Sequence, residues 1–299
     1  MNSEATNQIS RENSEGPLIL DGRRLRDAGI LRLKEKIEGG DTKPTLAVMQ
    51  VGDLQESNAY IEQKRKFAEK IGAGFMHLKF PEDVTEAILI AEINKLNENK
   101  AVQGIIVQLP IPKHLDKNII IDSISTAKDT DGLTSANKKL FEAGDKRAVV
   151  PATARGVLSL LRGYGVEVKG KKAAVIGRSA LVGAPIATLL LREGATVTVC
   201  HSQTADVPAK TSVADILIVA IGRPHFVTKE YVSPGQIVVD VGINSIQGEK
   251  LEEELPKRRL VGDVDFEGVK EIVGAISPAP GGVGPMTVLS LFENLLDAT

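Results

Sequence analysis

Residues 173–185 read AAVIGRSALVGAP, and this stretch decides the fold. Apolar residues lead into a turn of small residues, and a proline follows in the predicted first turn of a helix. This order is typical of a nucleotide-binding βαβ unit, whose backbone N–H groups and helix N-terminus face a pyrophosphate. Only Gly177 matches the G-x-G-x-x-G pattern, since Ser179 and Val182 occupy the other glycine positions. The context favours nucleotide binding; the alternative is that the glycines only allow close packing of helix on strand.

Strands and helices alternate on both sides of this stretch, which predicts an α/β protein. We expect two domains flanking a cleft, the second a Rossmann-type parallel sheet with helices on both faces. The predicted domains are 17–150 with 280–299, and 151–279, after a disordered tail at 1–16. Strands are predicted at 46–51, 104–107, 173–176, 196–200, 216–220 and 237–241. Helices are predicted at 58–71, 85–99 and 287–296, and 122–153 reads as a long polar connection.

The amino-acid composition limits the kinds of partner that the protein is expected to bind. The 299 residues carry 37 Lys and Arg against 39 Asp and Glu, with 3% aromatic residues and no Trp, which does not suit a nucleic-acid binder. No apolar run approaches the roughly 18 residues of a membrane span. The single cysteine, Cys200, and four histidines without ligand spacing indicate a reducing compartment and no metal site. The sequence therefore predicts a cytoplasmic globular protein with no nucleic-acid or membrane partner.

The end of the second strand of the nucleotide unit bears on cofactor choice. NAD enzymes usually carry a carboxylate there, about 20 residues after the first glycine. This chain instead has His201 and Ser202 at that place. Arg178 in the turn could bind a ribose phosphate, and Ser202 could add a hydroxyl donor. These residues favour NADP over NAD; the alternative is that Arg178 is a solvated loop residue.

A lysine lies on the apolar face of the predicted helix at 58–71. Tyr60, Lys64, Phe67 and Ile71 are spaced by three and four residues and so share one face. Burial there would lower the pKa of Lys64 toward the range useful for proton transfer. The alternative is that Lys64 extends its amine to water over the edge of the core.

Three further features are expected to converge with Lys64 on a cleft. Gln108 follows an apolar strand, at the sheet edge where open α/β sheets bind ligands. Asp131 lies beside Gly132 in the polar connection. Residues 280–287, PGGVGPMT, are rich enough in Gly and Pro to predict a loop that approaches a flat ligand closely.

Together these motifs closely resemble the bifunctional methylenetetrahydrofolate dehydrogenase/methenyltetrahydrofolate cyclohydrolase family. The resemblance covers nearly the whole chain after the tail, and its motifs occur in family order. They are VGD at 51–53, Ser57, YIEQK at 60–64, VQLPIP at 107–112, KDTDG at 128–132, GRSALVGAP at 177–185, DVGIN at 240–244 and PGGVGPMT at 280–287.

The resemblance implies a homodimeric enzyme that oxidises methylenetetrahydrofolate with NADP and hydrolyses the methenyl product to formyltetrahydrofolate. It implies that Lys64 is the acid/base residue of the hydrolysis, held by Gln108, that Tyr60 flanks the folate and that Asp131 anchors the pterin. It also implies folate contacts at Gly284 and Pro285. The cofactor contacts that it implies are Gly177, Arg178, Ser179, Ser202, Ile243 and Thr287.

One segment departs from the family pattern. The family usually has Cys or Ser and then a second Pro in the loop that enters the nucleotide domain, whereas this chain has Ala152 and Ala154. The departure puts the dehydrogenase efficiency in more doubt than the hydrolysis. It also motivates one rival, a folate- or nucleotide-binding protein with little catalysis. The other rival is a short-chain dehydrogenase, but there Tyr-x-x-x-Lys follows the dinucleotide loop, and here it precedes Gly177.

Overall fold

The structure is a computed structural model that describes residues 16–40, 43–247 and 258–298. Apart from Gly16, the tail predicted at 1–16 lies outside the described residues. The strands are β1 (Leu18–Ile19), β2 (Thr45–Val51), β3 (Gly74–Phe80), β4 (Gly104–Val107), β5 (Lys172–Ile176), β6 (Thr196–Cys200), β7 (Ile216–Val219), β8 (Ile237–Asp240), β9 (Asn244–Gln247), β10 (Arg258–Val261) and β11 (Ala275–Ile276). The helices are α1 (Gly22–Glu38), α2 (Gln55–Ile71), α3 (Glu86–Glu98), α4 (Lys117–Asp122), α5 (Ser135–Ala143), α6 (Ala152–Gly163), α7 (Gly183–Arg192), α8 (Val207–Thr211), α9 (Phe266–Val269) and α10 (Val283–Asp297). None of the helices in these ranges is long and apolar enough to cross a membrane.

The chain divides into two compact units, each built from separate stretches of sequence. Unit 1 contains the described residues up to Leu25 together with Val157–Met286, and unit 2 contains Arg26–Gly156 and the residues from Thr287 onward. The sequence placed the boundaries at 150/151 and 279/280, and residues 17–25 with the first domain. The structure differs because β1 pairs with β11 in the sheet of unit 1, and because the boundaries fall within helices α1, α6 and α10.

Unit 1 is built on a six-stranded parallel sheet in the order β1-β11-β8-β7-β5-β6. Strands β5 and β7 are buried along consecutive residues, so both of their faces are covered. The chain runs from β5 to β6 on one side and then returns to β7 on the other. The carboxyl ends of β5 and β7 therefore meet at a topological switch point, where such sheets bind ligands. The predicted Rossmann-type parallel sheet is confirmed.

Unit 2 is built on a three-stranded parallel sheet in the order β3-β2-β4. Its core fills from β2, β4 and α3, with Met49, Ile93 and Ile105 almost completely buried. Sequence analysis did not predict β3, whose residues Met76 and His77 are exposed at the sheet edge. Because the strands are parallel, the residues that follow β2 and β4 lie at the same edge.

The polar connection predicted at 122–153 contains helix α5 and the start of α6. Helix α5 is capped by the Thr134 side chain, which accepts from the Asn137 N–H, and it ends at Gly144 in the left-handed conformation. Helix α10 begins at Val283, four residues before its predicted start, so part of the predicted 280–287 loop is helical. Pro285 is tolerated there because N–H groups in a first turn have no partner within the helix.

Candidate active site

In unit 2 the Lys64 amine meets Gln108 directly. Lys64 Nζ donates to Gln108 Oε1 at 2.7 Å, and Gln108 Nε2 donates to the Leu109 carbonyl at 2.8 Å. The second bond fixes which end of the amide faces the lysine. The backbone N–H of Gln108 donates to the Met49 carbonyl at 2.8 Å, which places the amide at the carboxyl edge of the sheet. Helix α2 thus places Lys64 in contact with Gln108, and Gln108 lies at the sheet edge where the sequence predicted it.

The surroundings of Lys64 favour its neutral form. Burial lowers the pKa of Lys64, while the charge of Asp131 raises it in opposition. Burial raises the pKa of Asp131 to about 6; Lys64 opposes this rise and Asp129 adds to it. Burial also raises the pKa of Tyr60 to about 12, so its hydroxyl stays protonated. The site therefore holds an amine that can accept a proton near a carboxyl group that titrates close to neutrality.

Asp131 is placed by a backbone turn rather than by a flexible loop. The buried Asp129 carboxylate accepts from the N–H groups of Leu133 and Thr134, at 3.0 and 2.8 Å. Gly132 has φ of +73°, and a Cβ there would lie 2.9 Å from the Cα of Pro151. Glycine is therefore required by both conformation and space. The turn fixes the direction in which the Asp131 side chain leaves the backbone.

Sequence reasoning missed the polar contact that seats α2 on β2. Gln50, 1% exposed in an otherwise apolar strand, donates from Nε2 to Asn58 Oδ1 at 2.6 Å. Asn58 Nδ2 in turn donates to Asp53 Oδ1 at 2.8 Å. The contact fixes the first turns of the helix that carries Tyr60 and Lys64. The available signal was an amide inside an apolar strand.

In unit 1, two glycines shape the turn after β5, because a side chain at either position would clash with nearby backbone. Gly177 has φ of +119°, and a Cβ there would lie 2.2 Å from the Ala220 carbonyl oxygen. A Cβ at Gly183 would lie 2.3 Å from the Gly177 carbonyl oxygen. The Ser179 hydroxyl accepts from the N–H of Val182 at 3.2 Å at the start of α7. Turn and helix pack closely, as the backbone cradle of a pyrophosphate requires.

Two exposed side chains that could bind a phosphate, those of Arg178 and Ser202, belong to this part of unit 1. Arg178 is exposed and makes no hydrogen bond or ion pair within the described part of the chain, and Ser202 is also exposed. His201 Nδ1 accepts from the Gln203 N–H at 3.2 Å, which leaves its other ring nitrogen as the N–H donor. The residues fit a cofactor that carries a ribose phosphate, because a free guanidinium matches phosphate geometry and the end of β6 offers no carboxylate.

Two buried carboxylates at the same sheet edge were not predicted. Asp263, 0% exposed, accepts from the backbone N–H groups of Ile221, Gly222 and Arg223 at 2.7–3.0 Å and from Asn244 Nδ2 at 2.8 Å. It thereby ties the turn after β7 to the start of β9.

Asp240 accepts from the N–H groups of Gly242, Asp263 and Val264 at 2.9–3.1 Å. Burial raises the pKa of Asp240 to about 7, although the three N–H bonds favour the ionised carboxylate. A sequence pattern alone does not separate such a buried aspartate from a surface one.

The remaining predicted residues are divided between the units. Ile243 is 37% exposed in unit 1, and a Cβ added to Gly284 would lie 3.6 Å from its Cδ1. Pro285 is buried in unit 1, whereas Thr287 belongs to unit 2. Ala152 and Ala154 are buried in the first turn of α6. The segment that departs from the family pattern is thus helical rather than the loop that the sequence suggested.

Comparison with known proteins matches both units. Residues 20–131 match the family described as "Tetrahydrofolate dehydrogenase/cyclohydrolase, catalytic domain", and residues 151–299 match the corresponding "NAD(P)-binding domain". The bifunctional protein FolD of Listeria innocua is 44% identical over 284 residues, which cover 94% of this chain and 96% of that protein.

Solved structures agree over the same span. The bifunctional enzyme FolD from Campylobacter jejuni is 41% identical with a TM-score of 0.86, over 94% of this chain and 97% of that one. The Trypanosoma brucei N5,N10-methylenetetrahydrofolate dehydrogenase-cyclohydrolase, solved with NADP cofactor and inhibitor, is 36% identical with a TM-score of 0.88, over 95% and 97%.

Proposed function

The chain belongs to the tetrahydrofolate dehydrogenase/cyclohydrolase family, and we propose that the residues described above divide its two reactions as follows. The enzyme oxidises methylenetetrahydrofolate with NADP and hydrolyses the methenyl product to formyltetrahydrofolate. Unit 2 binds the folate and unit 1 binds NADP. The observation that carries this division is the desolvated Lys64 amine bonded to Gln108 in unit 2.

Lys64 serves the hydrolysis as base and then as acid. Water adds to the methenyl carbon and must lose a proton, which the neutral Lys64 amine accepts because its pKa is lowered. The bond from that carbon to one folate nitrogen then breaks as the formyl carbonyl forms. The Lys64 ammonium returns its proton to the departing nitrogen, and the remaining hydroxyl proton is released to solvent, so that the methenyl cation and water give the neutral formyl group and one proton. Gln108 accepts from Lys64 and so orients its free electron pair.

The other site residues of unit 2 bind the folate and do not transfer protons. The ionised Asp131 carboxylate accepts N–H bonds from the pterin and anchors it. Tyr60 flanks the folate with its ring, and its phenol, with a pKa near 12, takes no part as a base. The family resemblance also assigns folate contacts to Gly284 and Pro285.

NADP, when bound, accepts the hydride removed from the methylene carbon. Gly177 and Ser179 give its pyrophosphate a close backbone approach, and Arg178 with Ser202 binds the ribose phosphate. Ile243 and Thr287 supply further cofactor contacts. We infer in addition a cytoplasmic homodimer: the dimer rests on the family resemblance, and the cytoplasm suits a chain with the single cysteine Cys200.

An assay of the purified protein tests this function. Methylenetetrahydrofolate is supplied with NADP and then with NAD, and reduced cofactor and methenyl product are followed separately. NADPH formation without methenyl accumulation is expected. Hydrolysis of added methenyltetrahydrofolate without any cofactor reduction would show that Ala152 and Ala154 have cost the chain its dehydrogenase. Neither activity would leave a binding protein.

In the same assay, Arg178→Ala should weaken the binding of NADP much more than the binding of NAD. Loss of one charge-assisted phosphate contact costs about 1.5–3 kcal/mol, or roughly 10- to 150-fold in KM. Lys172→Ala is the matched control, since Lys172 is an exposed cation at the opposite end of β5. An equal loss for both cofactors would contradict the role of Arg178.

The KM for the folate should rise as the pH falls through about 6, the pKa of Asp131. Above that pH the carboxylate is ionised and accepts the pterin N–H groups; below it the protonated form binds less well, with up to about a tenfold loss per pH unit. KM measured across pH in Asp131→Asn should be high throughout, without this inflection. Asp145→Asn is the control, because Arg147 holds the pKa of the partly exposed Asp145 at about 2. An unchanged inflection in Asp131→Asn would assign the titration to another group.

A further inference from the structure

A buried amide on the C-terminal helix bridges two backbone segments of unit 2. Asn294 on α10 is 2% exposed. Its Nδ2 donates to the carbonyl oxygens of Thr130 and Val150, each at 2.9 Å. Both hydrogens of one amide nitrogen are thereby used on segments that lie far from Asn294 in sequence.

An arginine fixes the orientation of this amide. Arg155 Nη1 donates to Asn294 Oδ1 at 2.6 Å, and Arg155 is itself held by Glu293 at 3.1 Å and Asp297 at 2.8 Å. A guanidinium offers only donors, so the amide oxygen must face it. The Nδ2 group of Asn294 must then face the two carbonyls.

The two carbonyls flank the residues that place Asp131. Thr130 directly precedes Asp131 in the chain. Val150 leads through Pro151 to Ala152, whose N–H donates to the Asp131 carbonyl at 3.2 Å. The contacts of Asn294 therefore fix the separation of the two segments between which the Asp131 backbone is held.

We propose that Asn294 is a positioning residue for Asp131, through which α10 sets the alignment of the bound folate. This inference rests on the proposed role of Asp131 as folate anchor. Asn294 acts through the backbone on each side of that carboxylate and has no role in binding NADP. Arg155 contributes by fixing the orientation of the Asn294 amide.

Asn294→Asp tests the inference, because the side chain keeps its size and its bond to Arg155 but turns an acceptor toward the two carbonyls. Misplacement of a binding group by a fraction of an ångström to an ångström costs up to about a hundredfold. The KM for methylenetetrahydrofolate should rise roughly ten- to hundredfold, with the KM for NADP unchanged. Asn294→Ser, which removes the amide without adding a charge, should act in the same direction if the aspartate variant does not fold.

Asp297→Asn is the matched control, since Asp297 lies on the same helix and shares Arg155 but does not contact the two carbonyls. It should leave both KM values unchanged. A lowered melting temperature in the Asn294 variants with no rise in folate KM, or with an equal rise in both KM values, would reduce Asn294 to a structural role and overturn the inference.

A double variant separates this inference from the proposed function. Asn294→Asp should add little to the folate KM of Asp131→Asn if the two residues act in series, whereas multiplied effects would refute the inference. If Asp131→Asn alone leaves the folate KM unchanged, the proposed anchor itself fails.

Discussion

Replacement of Lys64 by methionine should lower methenyltetrahydrofolate hydrolysis by about 10²–10⁴-fold, the range typical of a lost general acid/base. Methionine keeps most of the side-chain length but supplies no group that can accept the proton from water. Gln108 Oε1 would lose its donor, and the attacking water would lose its base. Methenyl product should therefore accumulate as NADPH forms, and the two signals can be followed in one assay.

Lys66→Met is the matched control for this prediction. Lys66 lies on the same helix, is exposed and pairs with Glu62 at 3.4 Å. Exposed pairs of this kind contribute about 0–1 kcal/mol, so hydrolysis should be unchanged. Hydrolysis at the normal rate in Lys64→Met would remove Lys64 from the mechanism and leave the geometry of Gln108 without a catalytic purpose.

Asp263→Ala should destabilise the protein by about 3–5 kcal/mol, because several donors would lose their acceptor and each buried unsatisfied group costs about 1–3 kcal/mol. Three backbone N–H groups and the Asn244 amide would lose their shared acceptor in a completely buried site. The turn after β7, which adjoins the Gly177 turn at Ala220, would lose its anchor. Urea denaturation should show the loss of stability, and NADP affinity should fall with it.

Asp265→Ala provides the comparison two residues away. Asp265 caps the short helix α9 by accepting from the Gly268 N–H at 3.3 Å and is partly exposed. Removal of such a cap costs about 0.5–2 kcal/mol. If Asp263→Ala cost no more than this, the buried carboxylate would be replaceable by water, and its role as anchor of the turn after β7 would fail.

The strands that the sequence predicted well carry uninterrupted runs of apolar or β-branched residues, whether they are buried, like β4 and β7, or mostly exposed, like β6. Bounds for β4 and β6 match residue for residue, and β7 and β8 differ by one residue at their ends. The edge strand β3 was missed because its exposed residues interrupt the apolar pattern. The two-residue strand β1 forms only through its distant partner β11, and no local pattern can report such a pairing.

The residues of the candidate site show the same difference between features with a local sequence pattern and features that depend on distant partners. The helical spacing of Lys64 and the strand-end position of Gln108 were sufficient to predict that they converge, because both follow from local periodicity. Asn294 and Asp263 were not predicted, because their partners are backbone groups distant in sequence. A side chain that bonds to the backbone carries no local signature of its partner.

The pairing of Leu18 with Ala275 bears on how the protein is made. The ribosome makes β1 long before its neighbour, which emerges only after more than 250 further residues, and the part of α10 that belongs to unit 2 follows later still. The sheet of unit 1 stays incomplete until β11 is made, because β11 lies between β1 and β8. Nascent chains must therefore wait with unfinished sheet edges, which is the stage at which chaperones bind.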